Sequence, residues 1–289
     1  MGQVQQTVER RQLGLALQRL RTQAGLGQQD AANAIRRSAP RISQVEHGKG
    51  SLSVEELRTL LDLYGVVGDE RETLLALGTQ ARKRRHQPWQ VYTDLLPDAF
   101  QRLADLQADA TAITYYETGL VPGLAQSPDY VRAIITSGDG VWWPQSPEET
   151  ERRIAFRLNQ QRRVLTTDGH KHLDVIFTED ALRNIVGSQT VMAGQAAHLL
   201  QLTTQHSNVT VRIVPSETVD NPGLGGGLML LDFAAAPSIC HLPTLYGPGT
   251  YFDQPDDIEP MRRLLERVQS LALSPAETKS LLLKATKES

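Results

Sequence analysis

Residues 36–50 read RRSAPRISQVEHGKG, a short helix bracketed by arginines and closed by glycine. Ser38 is an N-cap residue whose side-chain oxygen can accept from an amide one turn on. Pro40 falls in the first turn, where amides lack intrahelical partners and a proline loses little. Ile42 and Val45 share one face, and Gly48 supplies a stop. The other side carries Arg41, Ser43, Gln44 and His47, all polar. A helix this short is marginal alone in water. Ile42 and Val45 must therefore dock on neighbours, leaving the polar side presented outward.

Those neighbours are legible on both sides. Leu13, Leu17 and Leu20 line one face of a first helix that ends near Gly25. Leu26 and Gly27 turn into a second, QQDAANAI, with Ala31, Ala32 and Ile35 apolar. After Arg36 and Arg37 comes the Ser38 helix. Ser53 opens a fourth as a capping box with Glu56 three residues on, and Leu57, Leu60, Leu61 and Tyr64 face its core up to Gly65. A fifth runs over residues 69–78 with Leu74, Leu75 and Leu77. Two short helices joined by a tight turn and packed by a first and a fourth make a helix-turn-helix bundle.

The same residues resemble the Xre/Cro-like helix-turn-helix family. That family runs leucine, a helix-capping residue, Gln-Glu-Glu-Leu-Ala, and later Ser-x-x-x-Ile-Ser-x-x-Glu-x-Gly. This chain has Leu26-Gly27-Gln28-Gln29-Asp30-Ala31-Ala32, then Ser38-Ala39-Pro40-Arg41-Ile42-Ser43-Gln44-Val45-Glu46-His47-Gly48. Gly27 stands in place of the usual capping hydroxyl, which weakens a cap by roughly a few tenths of a kcal/mol. Arg36 stands where a glycine often makes the turn, so it needs an unusual backbone or a different turn. The resemblance implies that the second helix crosses the backbone of double-stranded DNA and the third enters its major groove. Gln28, at the start of the second helix, is placed to hold a phosphate through its amide and the helix amino end. Ser38 and Ser43 suit phosphate oxygens. Arg41 and Gln44 are long enough to read guanine and adenine edges in bidentate fashion. His47 and Lys49 extend the backbone contact, and Arg37 joins the same set. Glu46 would repel DNA and is assigned an ion pair or cap inside the bundle.

Charge supports a polyanionic partner for this end. Residues 1–87 hold fourteen Lys and Arg against nine Asp and Glu, a balance of +5, whereas the rest of the 289-residue chain stands at −8. The run RKRRH at residues 82–86 either grips phosphate beside the bundle or serves as a solvated tether. The domain division is 1–80 for the helix-turn-helix, 81–97 for a basic linker and 98–289 for a larger domain. One cysteine, Cys240, excludes an internal disulfide framework and suits a reducing cytoplasm. No stretch is long and apolar enough for a membrane span, and MGQVQQTVERRQ lacks the order of a signal peptide.

Beyond Trp89 the periodicity mixes. Phe100, Leu103, Leu106 and Ala110 read as a helix, ITYYET as a strand, and GLVPGLAQSPDYVRAIIT as a loop then a helix. Residues 148–165 form a charged helix with Ile154, Leu158, Val164 and Leu165 inward. LDVIFTEDAL and VTVRIVP contain strands flanking the helix VMAGQAAHLLQLTTQ, a hairpin occupies residues 228–246, and helices near 256–273 and 275–287 close the chain. The expected fold class is a mainly α helix-turn-helix bundle followed by an α+β domain, its mixed or antiparallel sheet covered by helices. Along residues 5–287 the order also resembles the WhiJ-type bacterial regulators, Xre-type proteins with an antitoxin-like C-terminal domain. That resemblance implies a transcriptional regulator, often with a small companion protein.

No motif points to catalysis, a metal or a cofactor. GxxxxGK[ST], HExxH, CxxC and GxSxG are all absent. PGLGGG at 222–227 precedes a strand and reads as a turn or bulge. His170, His172, Cys240 and His241 are too scattered to select a metal, as are Asp220, Asp253, Asp256 and Asp257. Tyr115 and Tyr116, with Trp142 and Trp143 in a Gly-rich stretch, either fill core or line a surface for a ligand or partner. The expected function is a sequence-specific DNA-binding regulator, a homodimer on an inverted repeat whose large domain senses a small-molecule effector or protein partner. The alternative is an antitoxin-like clamp for a companion protein, with DNA binding serving autoregulation.

Overall fold

The computed structural model describes residues 6–82, 92–93, 98–165, 171–245, 247 and 249–287. Five helices come first: α1 (Val8–Gln23), α2 (Gln28–Ala34), α3 (Ala39–Glu46), α4 (Val54–Leu63) and α5 (Gly68–Arg82). Their start signals are local. Thr7 caps α1 by accepting from the Arg10 amide, and Ser53 and Glu56 form a reciprocal capping box on α4. Leu13, Leu17, Leu20, Ala31, Ala32, Ile35, Ile42, Val45, Leu57, Leu60 and Leu61 fill one core, as their spacing requires. Leu75 is only partly buried. Ser38 begins α3 in an extended conformation, but its hydroxyl makes no cap bond. The Ser38 carbonyl instead accepts from the Arg41 and Ile42 amides, and the side chain stays exposed.

The larger domain is three layers deep. Its strands are β1 (Tyr92–Thr93), β2 (Ala112–Glu117), β3 (His172–Thr178), β4 (Val209–Val214), β5 (Leu228–Asp232), β6 (Ile239–Leu242) and β7 (Thr250–Phe252). They lie in the order β1-β7-β6-β5-β2-β3-β4. β2, β3 and β4 are parallel to one another, and every other pairing is antiparallel, so the sheet is mixed. The helices are α6 (Ala99–Asp109), α7 (Pro128–Ser137), α8 (Pro147–Leu165), α9 (Asp180–Arg183), α10 (Gln189–Gln205), α11 (Pro255–Leu271) and α12 (Pro275–Ala285).

Residue alternation sorts the strands onto two covered faces. Ile113, Leu173, Val175, Phe177, Val211, Ile213, Met229 and Leu231 meet residues of α6, α7, α8, α10 and α12. Tyr116, Ile176, Leu228, Leu230 and Cys240 meet Ile258, Leu265 and Val268 of α11. Because both faces are covered, LMLL of β5 is buried throughout. Phe100 sits, as its spacing predicts, in the first turn of α6, where it is 53% exposed. Leu158 and Leu165 are partly buried.

The two domains interlock at α1. Val8 is fully buried in the core of the larger domain, and its backbone N–H donates to the Asp253 carboxylate just past β7. Arg11 lies over the Phe233 ring at 3.8 Å and pairs with Asp109 at the end of α6. β1, within the stretch expected to be linker, pairs with β7 at the sheet edge.

Candidate nucleic-acid interface

The turn between α2 and α3 sets the recognition geometry. Arg37 N donates to Ala32 O at 2.9 Å and Arg36 N to Asn33 O at 3.2 Å, with Arg36 at φ 53°. This is a Schellman stop, whose left-handed residue is most often glycine. The unusual backbone that the sequence asks of Arg36 is therefore present. α3 ends in the same motif, with Gly48 at φ 71° and Lys49 N bonded to Gln44 O at 2.7 Å. Arg36 thus carries a side chain where the stops of α1, α3 and α4 have Gly25, Gly48 and Gly65.

Beneath the surface, Glu46 ties the motif together. Its carboxylate accepts from Arg21 Nε at 2.6 Å, Arg21 Nη2 at 3.0 Å and Gln28 Nε2 at 2.7 Å. Arg21 also donates to the Leu26 carbonyl at 2.8 Å. The Glu46 side chain is 1% exposed, so it presents no negative charge to a ligand outside. The internal ion pair expected for it is present. The same geometry corrects the reading of Gln28: its amide is turned inward to Glu46. At the start of α2 the Gly27 amide is taken by the Asp30 carboxylate at 2.8 Å.

The outer surface is polar and continuous. Arg36, Arg37, Ser38, Gln44, His47 and Lys49 are exposed, and Arg41 and Ser43 are half-buried. Gln44 has no side-chain partner among the described residues. Arg41 lies along the α3–α4 loop: Nη2 donates to the Ser51 carbonyl at 2.6 Å, and a Cβ at Gly50 would meet Nη1 at 2.9 Å. It can present only its remaining N–H groups unless that bond opens. Arg37 Nε pairs with Glu56 at 2.7 Å while staying largely exposed. His47 Nδ1 lies 2.7 Å from the Ser43 carbonyl, and the His47 carbonyl accepts from Gln6. Residues 83–86 of the basic run lie outside the described residues, and Arg82 closes α5.

The aromatic residues of the large domain do not form one site. Tyr116 is fully buried; its hydroxyl bonds Asn221 at 3.0 Å and its ring packs on Gly223, so it is core and lines no surface. Tyr115 packs on the opposite face of β2, and burial beside Glu117 pushes its hydroxyl up to about 12. Trp143 is partly buried by Val131, Ile135 and Ile154 with the Arg153 guanidinium 4.3 Å over its ring, whereas Trp142 is 44% exposed. PGLGGG is a turn into β5. Cys240 and His241 are buried in β6, and burial moves the thiol up to about 12 and the imidazole down to about 4. Among the described residues no group of three His, Cys, Asp or Glu is arranged to hold a metal, and no helix is long and apolar enough to cross a membrane.

A bundle with an exposed polar third helix, stopped by paired left-handed turns, is that of a helix-turn-helix DNA-binding protein, and residues 12–74 match the family described as a helix-turn-helix domain. Residues 100–284 match the family described as a domain of unknown function, DUF5753, and the chain belongs to that family. Neither a curated protein nor a solved structure matches it.

Proposed function

We propose that the protein is a sequence-specific transcriptional regulator that inserts α3 into the major groove and acts as a homodimer on an inverted repeat, with the large domain receiving a signal and no catalytic step. The observation that carries this reading is the exposed side of α3. Gln44 is exposed there, Arg41 borders it, and the acidic Glu46 is withdrawn beneath. Two such helices related by a two-fold would lie about 34 Å apart, one helical turn of DNA. Lys49 and Arg37 flank the helix and suit phosphates, which position the protein without reading sequence.

Selection of bound duplexes from a random pool, followed by footprinting, tests the reading. Gln44→Ala and Arg41→Ala are each expected to cost about 1–3 kcal/mol on the selected duplex and to relax one base position. Lys49→Ala is expected to weaken selected and random duplexes alike and lower the salt slope by roughly one. No enrichment of any sequence by the intact protein at low salt would refute the proposal.

A further inference from the structure

Arg157 differs from its neighbours on α8. Arg152 and Arg153 pair with Glu149, and Arg163 pairs with Asp105. Arg157 is half-buried, yet among the described residues it makes neither a hydrogen bond nor an ion pair. Its place is nonetheless fixed. One turn further along α8, Gln161 Nε2 donates to the Gly123 and Gln126 carbonyls at 2.8 and 3.0 Å, which clamps the helix onto the loop after β2. The Arg157 guanidinium then takes the space of a Gly123 side chain, since a Cβ there would lie 1.9 Å from Nη1. Its charge reaches the Tyr115 hydroxyl, which stands beside the Gly123 backbone and the Glu117 carboxyl.

A second glycine makes room for Glu117: a Cβ at Gly227 would lie 2.6 Å from its Oε1. Glu117 accepts from the Thr118 N–H at 3.3 Å, and burial pushes its carboxyl up, toward the uncharged form. It lies beyond ion-pair distance of Arg157 and does not neutralise it. The topology sets these groups at a reversal of strand order. β2 has a parallel neighbour in β3 and an antiparallel one in β5, and the chain leaving β4 crosses the carboxyl ends of β3 and β2 to enter β5. On the way Ser216 bonds Glu179, and Asn221 bonds Tyr116. Open sheets with parallel strands bind ligands outside their carboxyl ends at such reversals. The two loops that carry Gly123 and Gly227 also carry the exposed Leu120 and Leu224.

A half-buried guanidinium without a partner has given up hydration and gained nothing in return. Its planar fork matches a carboxylate, and one cation beside an acidic group favours a monoanion over a phosphate dianion. We propose that the carboxyl end of β2 binds a small apolar carboxylate, its carboxylate paired with Arg157 and its apolar body against Leu120 and Leu224. This names the signal that the large domain receives. Binding itself is independent of the DNA-binding reading, and only its effect on DNA rests on that reading.

Thermal unfolding of the full chain tests the site without DNA. Benzoate and hexanoate are titrated against sodium chloride of equal ionic strength, with benzamide as the uncharged counterpart and phenyl phosphate as the other oxyanion. The expected result is a saturable rise in Tm of about 3 °C or more with at least one of the two carboxylates, and none with benzamide. Arg157→Gln should abolish the rise while leaving the Tm of the free protein at or above the parent's, because it removes no partner. Gly123→Ala should weaken the response by pushing the guanidinium aside, and Arg152→Gln should keep it. A rise no larger than with chloride, an equal rise in Arg157→Gln, a response to phenyl phosphate alone, or a lower Tm of free Arg157→Gln overturns the proposal. With benzoate or hexanoate bound, DNA affinity should change, and DNA should change carboxylate affinity by the same factor. Unaltered DNA affinity with binding intact would overturn the signalling role alone.

Discussion

The backbone N–H of Val8 donates to Asp253 Oδ2 at 2.9 Å, a buried bond between positions 245 residues apart. It places the first residue of the DNA-binding bundle's α1 under control of a side chain at the sheet edge of the other domain. A carboxylate is well suited there, since a helix amino end favours negative charge. Asp253→Ala removes that acceptor, which is expected to cost ~1–3 kcal/mol in chemical denaturation. Asp253→Asn keeps an oxygen and should cost less. An asparagine variant as unstable as the alanine one would assign the contribution to charge and not to the hydrogen bond.

Glu46 and Arg21 make a second test, inside the bundle. Their side chains are 1% and 12% exposed, so removing one partner strands a desolvated charge. Glu46→Ala is expected to lose about 3 kcal/mol in urea unfolding, and the double change with Arg21→Leu should recover much of it. A single variant within about 1 kcal/mol of the parent would mean that Gln28 and water satisfy Arg21 without the carboxylate.

These two contacts also mark where sequence reading succeeds and stops. The five N-terminal helices were legible because their signals are local: leucines spaced by three and four, Ser53 with Glu56, and glycines at the stops. β2, β3 and β4 were legible as runs rich in β-branched and aromatic residues, and β5 and β6 as short apolar runs that follow Gly- and Pro-marked turns. β1 and β7 were not, because strands of two and three residues exist only through their pairing with each other and with β6. Tyr116 looked like a surface candidate because alternation in β2 tells which residues share a face and not whether α11 covers it. Phe100 is the converse case: its helical spacing is right, but spacing does not tell that nothing covers it. The candidate DNA surface was readable as a helix face. The partners of its residues were not, since the Ser51 carbonyl on Arg41 and the Glu46 carboxylate on Gln28 depend on how the loops return.

Arg36 offers a test of stored strain. A side chain at φ 53° costs roughly 1–2 kcal/mol relative to glycine, part of which is offset because glycine has more freedom to lose on folding. Arg36→Gly should therefore stabilise the protein, by about 0.5–1 kcal/mol, and Arg36→Val should destabilise it. The same Arg36→Gly change removes an exposed cation beside α3, so its DNA complex should show a smaller salt slope by up to about one. Stability and DNA affinity would then move in opposite directions, as expected of a residue kept in an unfavourable backbone for its charge. A variant whose salt slope matches the parent's would leave Arg36 no role at phosphate.

His241 predicts how stability depends on acidity. It is buried in β6 with its ring centroid 4.8 Å from Tyr251, and Gly249 fits so closely that a Cβ there would lie 2.0 Å from Nε2. Burial holds its pKa down to about 4, against about 6.5 for an unperturbed imidazole. Between those values the unfolded chain takes up a proton that the folded one does not. Its contribution is therefore fully present above pH ~6.5 and is lost as the pH falls toward about 4, with a slope of at most about 1.4 kcal/mol per pH unit. His241→Gln removes the titrating group and should flatten that part of the curve, whatever it does to stability at neutral pH. Urea unfolding of both proteins at half-unit steps from pH 7 to 4 gives the two slopes. Parallel curves would mean that water reaches the imidazole and lets it charge in place.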